Sequence, residues 1–341
     1  MFFCTSNMEF LTGTCPICEA TETHEAGTVL GRDERDYEVL RCAHCGLLFV
    51  SPFPRLSQED YERIYDANYY AGNWGDEGHG YFDRQKIECM HSEAELQRRA
   101  IENETGIVRG SILDVGCGDG RYLQAFAAAG WQAVGIEVSP AAVNRAQPAA
   151  GVEVIHGSFD SVNLGDRSFD VVRLKHCIEH LSCPRETLAS IQRLLRPGGF
   201  LVLDTDNAES LRSRCERFAQ RTTGPLARWV VRGFMGKDLR KRFGRLSPPI
   251  HLLYFSPCSL RHAVESVGLR VERIFSVHHG HPVWFPLVHP YRCHPLEAAF
   301  RVLDRLGAAI GRGEAIVCFA SKPNPPRGGS QTPSHLARRD M

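Results

Sequence analysis

Three glycines at alternating positions follow an apolar run in the segment SILDVGCGDGRYL, residues 111–123. Small residues let the backbone approach a ligand closely, and a glycine loop after a strand is typical of nucleotide sites. Dinucleotide-binding loops space their glycines as G-x-G-x-x-G. Here the spacing is Gly116-x-Gly118-x-Gly120, and Asp114 lies two residues before it. A carboxylate at this point suits an ammonium group better than a pyrophosphate.

A second carboxylate completes the pattern. Glu137 ends the next predicted strand, about twenty residues further along the chain. Its two oxygens can accept hydrogen bonds from both hydroxyls of a ribose. An ammonium group and a ribose without a phosphate are the outline of S-adenosylmethionine. We therefore predict that the loop binds this methyl donor and does not bind NAD.

Two cysteine pairs near the N-terminus have the spacing of zinc knuckles. The four cysteines are Cys15, Cys18, Cys42 and Cys45. Thiolates three residues apart in a tight turn can share one tetrahedral ion, and short apolar runs around the second pair fit the strands of a zinc ribbon. Such a module of some 40 residues has little core, so we expect the ion to stabilise it. Cys4 and His44 are alternative ligands, and four cysteines predict a structural rather than a catalytic zinc ion.

Strands and helices alternate through the rest of the chain. A capping residue followed by proline is typical of a first turn and indicates helix starts at Ser139-Pro140 and Ser256-Pro257. Ser57 is predicted to cap a further helix, and Pro184 to begin another. Strands separated by helices predict a doubly wound α/β sheet. The predicted strands are 111–115, 132–136, 152–155, 169–174, 200–204, 269–277 and 315–320.

The same pattern predicts the domain organisation. We expect a zinc-ribbon-like module at 10–55, a helical linker at 56–105, an α/β domain at 106–321 and a disordered tail at 322–341. Insertions at 206–249 and 278–313 interrupt the α/β domain. Ligands of open α/β sheets bind at the carboxyl ends of the strands, so the first insertion is interpreted as a substrate cap.

Four segments carry a resemblance to a known family. In order they are ILDVGCGDG, VGIEVSP, FDVVRLKHCIEHL and LLRPGGFLVLDTDN, between residues 105 and 206. They resemble the motifs of class I S-adenosylmethionine-dependent methyltransferases. The resemblance implies a Rossmann-like sheet of seven strands that is mostly parallel and has an antiparallel last strand.

The resemblance also implies roles for individual residues. The methionine end of the donor is expected to lie against Asp114, Gly116 and Gly118, with Glu137 on the ribose. The adenine is expected between Ser158 and Phe159, although the family often has Asp at the first of these positions. Cys117 in the loop and Lys175 after the fourth strand complete the predicted donor site.

The zinc ribbon ahead of these motifs is similar to that of bacterial methyltransferases that act on sugars and other small metabolites. Among them are C-methyltransferases of nucleotide-linked deoxysugars. This resemblance implies O- or C-methylation of a small-molecule acceptor, most simply a nucleotide- or lipid-linked sugar or another glycan precursor.

Methylation of a hydroxyl or an acidic carbon requires a base. His176 and His180 follow the fourth strand in KHCIEHL, and His251 lies in PIHLLYFS. A histidine in a similar HLxYFS context is the proposed base of the zinc-containing sugar enzymes, so His251 is predicted as the base, His180 as a residue that fixes the loop, and Glu179 as a carboxylate that orients either ring. Ubiquinone-pathway O-methyltransferases are similar here but bind a metal through acidic residues just upstream. Lys175 and His176 stand at that point instead, so we expect no catalytic metal.

The composition bears on location. The chain has 40 basic and 40 acidic residues, and its 13 cysteines are an odd number that disfavours a secreted disulfide framework. We find neither a signal peptide at the start nor an uninterrupted apolar run of about 18 residues. These features predict a cytoplasmic protein.

One alternative function rests on charge. The segment 212–245 has eleven basic and two acidic residues, a net charge of +9. An RNA methyltransferase would use such a block, with the zinc ribbon, to bind phosphates. Against a nucleic-acid partner, RLKHCIEH replaces the Asn/Asp-Pro-Pro-aromatic motif of base N-methylating enzymes. The block equally suits a diphosphate-linked sugar or peripheral contact with an anionic membrane.

Overall fold

The computed structural model describes residues 9–31, 35–66, 69, 84–146, 151–214, 246, 248–277 and 305–325, without the side chains of 84–92. The described N-terminal elements are β1 (Glu9–Leu11), β2 (Thr23–Leu30), β3 (Asp36–Cys42), β4 (Leu48–Ser51), β5 (Phe53–Arg55), α1 (Gln58–Ile64) and α2 (Arg84–Thr105). The α/β part that follows contains β6 (Ser111–Val115), α3 (Arg121–Ala128), β7 (Gln132–Glu137), α4 (Pro140–Val143), β8 (Val152–His156), β9 (Phe169–Lys175), a 3-10 turn (Ile178–His180), α5 (Pro184–Leu194), β10 (Leu195–Asp206), β11 (Leu253–Tyr254), α6 (Pro257–Ser266), β12 (Arg270–Val277) and β13 (Ala315–Ser321).

Seven strands form the central sheet in the order β12-β13-β10-β9-β6-β7-β8. Strands β10, β9, β6, β7 and β8 run parallel to one another, whereas β13 is antiparallel to both β10 and β12. This is the mostly parallel, seven-stranded sheet with an antiparallel last strand that the sequence predicts, and the fold class is confirmed.

The predicted strands agree with the observed ones to within two residues, apart from the start of β10. That strand begins at Leu195, which pairs with Phe169, and its register then shifts before Phe200. Helix α5 ends at Leu194, directly before this strand, and the sequence RPGG lies between the two paired parts. The proline and the two glycines therefore lie inside the strand, at the point where its register shifts.

All four predicted helix starts are found, and three of them have side-chain capping contacts; α5 begins at Pro184 without one. The Ser57 hydroxyl accepts from the Asp60 amide while the Asp60 carboxylate accepts from the Ser57 amide, which is a capping box. Ser139 caps the short helix α4, and Ser256 caps α6 through Ser259 in the same reciprocal way. Each cap satisfies amide groups that the first helical turn leaves without a partner.

The N-terminal module shares its core with the α/β part. Its strands β2, β3 and β4 are antiparallel, and β11 from the far side of the first insertion pairs with β4, placing Leu253 opposite Phe49. Phe49, Phe53 and Leu203 belong to one buried cluster. Complete burial of such side chains contributes about 1.5–3 kcal/mol each. The apolar face of the module thus packs on the rest of the protein, and stabilisation of the module by an ion stays a prediction.

Several predictions fall outside the described residues. Most of the first insertion (215–245 and 247), 278–304 of the second, and 326–341 of the tail are among them. The cap, the basic block and the disordered tail stay predictions. Within the described part of the chain, no helix is long and apolar enough to span a membrane.

Candidate functional site

A cavity of about 400 Å³ opens at the carboxyl ends of β6, β7 and β9. This is the edge at which open α/β sheets bind ligands. All eight residues that the sequence analysis assigns to the donor site line it, namely Asp114, Gly116, Cys117, Gly118, Glu137, Ser158, Phe159 and Lys175. The fold thus brings together residues that are spread over 62 positions of the sequence.

The glycine loop forms the floor of this cavity through a backbone that other residues rarely adopt. Gly116 has φ +77° and Gly118 has φ +59°. The amides of Gly116 and Cys117 both donate to the Ile136 carbonyl, at 2.9 and 3.1 Å, which ties the loop to the end of β7. A Cβ atom on Gly116 would lie 3.4 Å from the sulfur of Cys177. Glycine here keeps the backbone open to a ligand.

Glu137 is held at the cavity wall by two backbone donors. The Gly118 amide donates to Oε2 and the Ser139 amide donates to Oε1, each at 2.8 Å, and the residue is 4% exposed. A carboxylate offers about four acceptor positions. These two backbone bonds orient the carboxylate at the cavity wall, where the ribose contact is predicted.

Asp114 offers the clearest position for a hydrogen-bond donor of a ligand. Arg173 donates to its Oδ2 at 2.7 Å. Its Oδ1 is buried and has no hydrogen-bond partner among the described residues. Burial raises the pKa of the Asp114 carboxyl, and Arg173 acts in the opposite direction. A buried acceptor atom without a partner is costly, so a ligand ammonium group at this position would fit the cavity.

Sequence reasoning missed Arg173 and the helix that holds it. The guanidinium donates to Gln97 as well as to Asp114, and the neighbouring Lys175 donates to Glu93 and, at 3.1 Å, to the hydroxyl of Tyr122. Glu93 and Gln97 are one turn apart on α2. They thus contact Lys175 and Arg173, which lie on the same face of β9. The available signal was the pair of cations in the strand FDVVRLK. The Lys175 ammonium, predicted to contact the donor, makes these protein contacts at the cavity wall.

A row of tyrosines from α1 and the segment after it lines another side of the cavity. Tyr61, Tyr65 and Tyr69 are four residues apart, and successive ring centroids are 6.5 and 4.8 Å apart. The Tyr61 hydroxyl accepts from the Ser182 amide at 2.9 Å, and the Ser139 hydroxyl donates to the Tyr65 carbonyl. These contacts fix α1 to both edges of the cavity. The helical spacing of YERIYDANY was the signal in the sequence.

Of the three histidines considered as base, His176 and His180 line the cavity, and His251 is not among the described lining residues. The rings of His180 and His251 contact each other with centroids 4.5 Å apart. His180 Nδ1 lies 3.0 Å from the Ile250 carbonyl, which can only accept, so Nδ1 carries the proton and Nε2 is the basic nitrogen. Burial and the neighbouring His251 lower the pKa of His180 to about 4. His180 is therefore neutral near pH 7.

Glu179 orients a different histidine from those predicted. Its Oε1 lies 3.1 Å from His176 Nδ1, and its Oε2 accepts from the Thr205 hydroxyl at 2.8 Å. Burial works to lower the pKa of His176, but the bond to Glu179 and the nearby Asp204 outweigh it and raise the pKa to about 9. The proposed role of Glu179 as a partner of His180 or His251 is not supported by these contacts, because both carboxylate oxygens face other groups.

The four knuckle cysteines meet as the sequence predicts. Cys15 and Cys45 have sulfurs 3.6 Å apart, those of Cys18 and Cys42 are 3.5 Å apart, and all four lie within 4.8 Å of one another. Sulfurs bound to zinc at about 2.3 Å in a tetrahedron are roughly 3.8 Å apart. The cluster therefore fits a zinc ion, and its four thiols would close the coordination shell.

Comparison with known proteins agrees with the site. The sequence matches the family described as "Methyltransferase domain" over residues 78–274, more than half of the 341-residue chain. It is similar to the ubiquinone biosynthesis O-methyltransferase of Methylococcus capsulatus, with 29% identity over 141 residues that cover 39% of this chain and 60% of the relative. The mitochondrial ubiquinone biosynthesis O-methyltransferase of Schizosaccharomyces pombe is 35% identical over 102 residues, covering 28% and 37% of the two chains.

The chain thus spans 60% or less of the length of these relatives. Among solved structures, an S-adenosylmethionine-dependent methyltransferase from Mesorhizobium loti aligns with 67% of this chain and 97% of its own, at 17% identity and a TM-score of 0.43. The family match spans the glycine loop, the carboxylate at the end of β7 and the turn after β9, all of which line the cavity. The chain belongs to the methyltransferase domain family.

Proposed function

We propose that this protein transfers a methyl group from S-adenosylmethionine to a small-molecule acceptor. The proposal rests on two carboxylates that line one cavity beside the glycine loop. Glu137 accepts from the Gly118 amide, and the buried Oδ1 atom of Asp114 has no hydrogen-bond partner among the described residues. When bound, S-adenosylmethionine supplies a methyl group that its sulfonium makes electrophilic. Asp114 would hold the ammonium group, Glu137 the ribose, and Ser158 and Phe159 the adenine.

The chain's own contribution to the reaction is alignment, exclusion of water and acceptance of a proton. Tyr61 and Tyr65 close one side of the cavity, and holding two reactants in line can supply about 7–11 kcal/mol of the barrier. We propose His180 as the base, since it lines the cavity and its Nδ1 proton faces the Ile250 carbonyl, which leaves Nε2 as the nitrogen that accepts a proton. His251 would then act through its contact with the His180 ring.

For the acceptor we propose a hydroxyl or an acidic carbon of a sugar or glycan precursor. The support is the zinc-ribbon arrangement ahead of the methyltransferase motifs, which resembles that of sugar-modifying enzymes. Tyrosine faces also pack well against the C–H groups of a sugar ring. A hydroxylated aromatic ring is the second candidate. Two observations favour it: the tyrosine row, and the similarity to O-methyltransferases of ubiquinone biosynthesis.

Calorimetry of donor binding tests the proposed function. S-adenosylmethionine should bind the wild-type chain, and NAD should not. Glu137→Gln should weaken donor binding about 10- to 150-fold, because a hydrogen bond to a charged group contributes about 1.5–3 kcal/mol. Glu153→Gln is the matched control, since Glu153 is on β8 and its carboxylate pairs with Arg167 at the surface. Equal affinities of wild type and Glu137→Gln would contradict the donor site.

A separate assay addresses the acceptor. Nucleotide-linked sugars and hydroxylated aromatic compounds should be offered as two panels with methyl-labelled donor, and the labelled product identified by NMR. Turnover of sugars alone supports the first acceptor class. Turnover of the aromatic panel alone rejects it in favour of the second.

A further inference from the structure

A second group of metal-binding side chains lies beside the cysteine cluster. Cys18 belongs to the first knuckle, His44 lies inside the second, and His262 is on α6 of the α/β part. One ligand atom from each lies within 4.8 Å of those of the other two. The two imidazoles are in edge-to-face contact with centroids 5.0 Å apart. No hydrogen bond or ion pair is recorded for either histidine within the part of the chain that the structure describes.

Cys18 is the point shared by this group and the four-cysteine cluster. Cys15, Cys42 and Cys45 are 0, 1 and 4% exposed, whereas Cys18 is partly exposed. Its sulfur is therefore on the outer side of the cluster, where the two histidines lie. A thiolate keeps lone pairs after it binds one ion, so the Cys18 sulfur can bridge to a second ion on that side.

We infer that Cys18, His44 and His262 form a second metal site, with the Cys18 thiolate bridging to the ion of the four-cysteine cluster. Two imidazoles and one thiolate favour a borderline transition ion such as zinc over magnesium or calcium. Three protein ligands leave one position of a tetrahedral ion for water or another ligand. The site thus differs from the closed four-cysteine cluster, and its ion should bind more weakly and exchange faster.

The position of His262 gives the site a consequence for the fold. His44 is contributed by the N-terminal module and His262 by α6, so a shared ion would link the two parts at the surface. Elsewhere they are joined through the β4–β11 pairing and the common core. Zinc at the second site should therefore raise the melting temperature of the whole chain, and this rise should depend on both histidines.

Zinc content measured by elemental analysis tests the inference. The full chain should be equilibrated with excess Zn²⁺, freed of unbound metal by rapid gel filtration, and compared with the double variant His44→Ala/His262→Ala. The wild type should retain one zinc equivalent more than the double variant. His24→Ala is the matched control, because His24 is an exposed histidine of β2 in the same module, and it should retain the wild-type amount.

The difference between the two proteins is the decisive quantity, whether or not the four-cysteine cluster is filled. Equal zinc contents would overturn the inference and would leave the two imidazoles as neighbours of a single-ion site. Titration of the one-zinc wild-type chain with Zn²⁺ by calorimetry decides the matter should the double variant not fold. A second binding event of one equivalent is expected, and its absence would also overturn the inference.

Discussion

The buried pair of Asp114 and Arg173 makes the strongest prediction about stability. Their side chains are 3% and 5% exposed and joined at 2.7 Å, so neither charge is compensated by water. Removing one partner of a buried pair leaves the other charge unpaired at a cost of about 3–5 kcal/mol. We predict this loss in the free energy of unfolding for Arg173→Met, and a similar loss for Asp114→Leu.

The double variant Asp114→Leu/Arg173→Met removes both charges at once. Replacement of a complete buried pair by apolar residues is often neutral or stabilising, so the double variant should be more stable than either single one. Urea unfolding followed by circular dichroism measures all three. The control is Arg167→Met, whose exposed pairing with Glu153 should contribute only about 0.2–1 kcal/mol. Single-variant losses that add within about 0.5 kcal/mol would refute the coupling.

Three further predictions concern the histidines and the zinc cluster. His180→Ala should lower kcat about 10²- to 10⁴-fold with donor affinity unchanged, and His251→Ala should lower kcat less. Steady-state kinetics measure both, and the reverse order would assign the role of base to His251. Because the pKa of His180 falls from about 6.5 unfolded to about 4 folded, stability should decline as the pH falls from 6.5 towards 4, by up to about 3 kcal/mol. His176, with a folded pKa of about 9, should instead contribute stability below pH 6.5 that is lost as the pH rises through 9; unfolding curves of Ala variants across pH separate the two. Elemental analysis should find zinc bound by the knuckle cysteines, and replacing two of them by serine should abolish it and lower the melting temperature; zinc retained after that change would contradict the assignment.

Features set by local chemistry were predictable from the sequence. The strand predicted for residues 111–115 matches β6 in full, because the mostly apolar run between Gly110 and Gly116 predicts a strand with these bounds. The caps at Ser139 and Ser256 follow from a serine placed before a proline. The donor site was predictable because the carboxyl ends of the parallel strands β6, β7 and β9 lie at one edge of the sheet.

Features set by contacts between distant segments were not predictable. The partner of Asp114 is 59 positions away on β9, and nothing local in the sequence couples the two. The β4–β11 pairing joins two segments that the parallel strands β6 to β10 separate in the sequence. The two histidines, His180 and His251, are a similar case: their rings are in contact although they lie 71 positions apart in the sequence, and only His180 is among the described residues that line the cavity.

The most direct test of the donor site is a crystal structure of the chain with S-adenosylhomocysteine, the product that keeps the ammonium group, the ribose and the adenine. We predict that its ammonium group lies within hydrogen-bond distance of Asp114 Oδ1 and that both ribose hydroxyls donate to Glu137. Binding outside the cavity at the ends of β6, β7 and β9, or a ribose turned away from Glu137, would contradict the account.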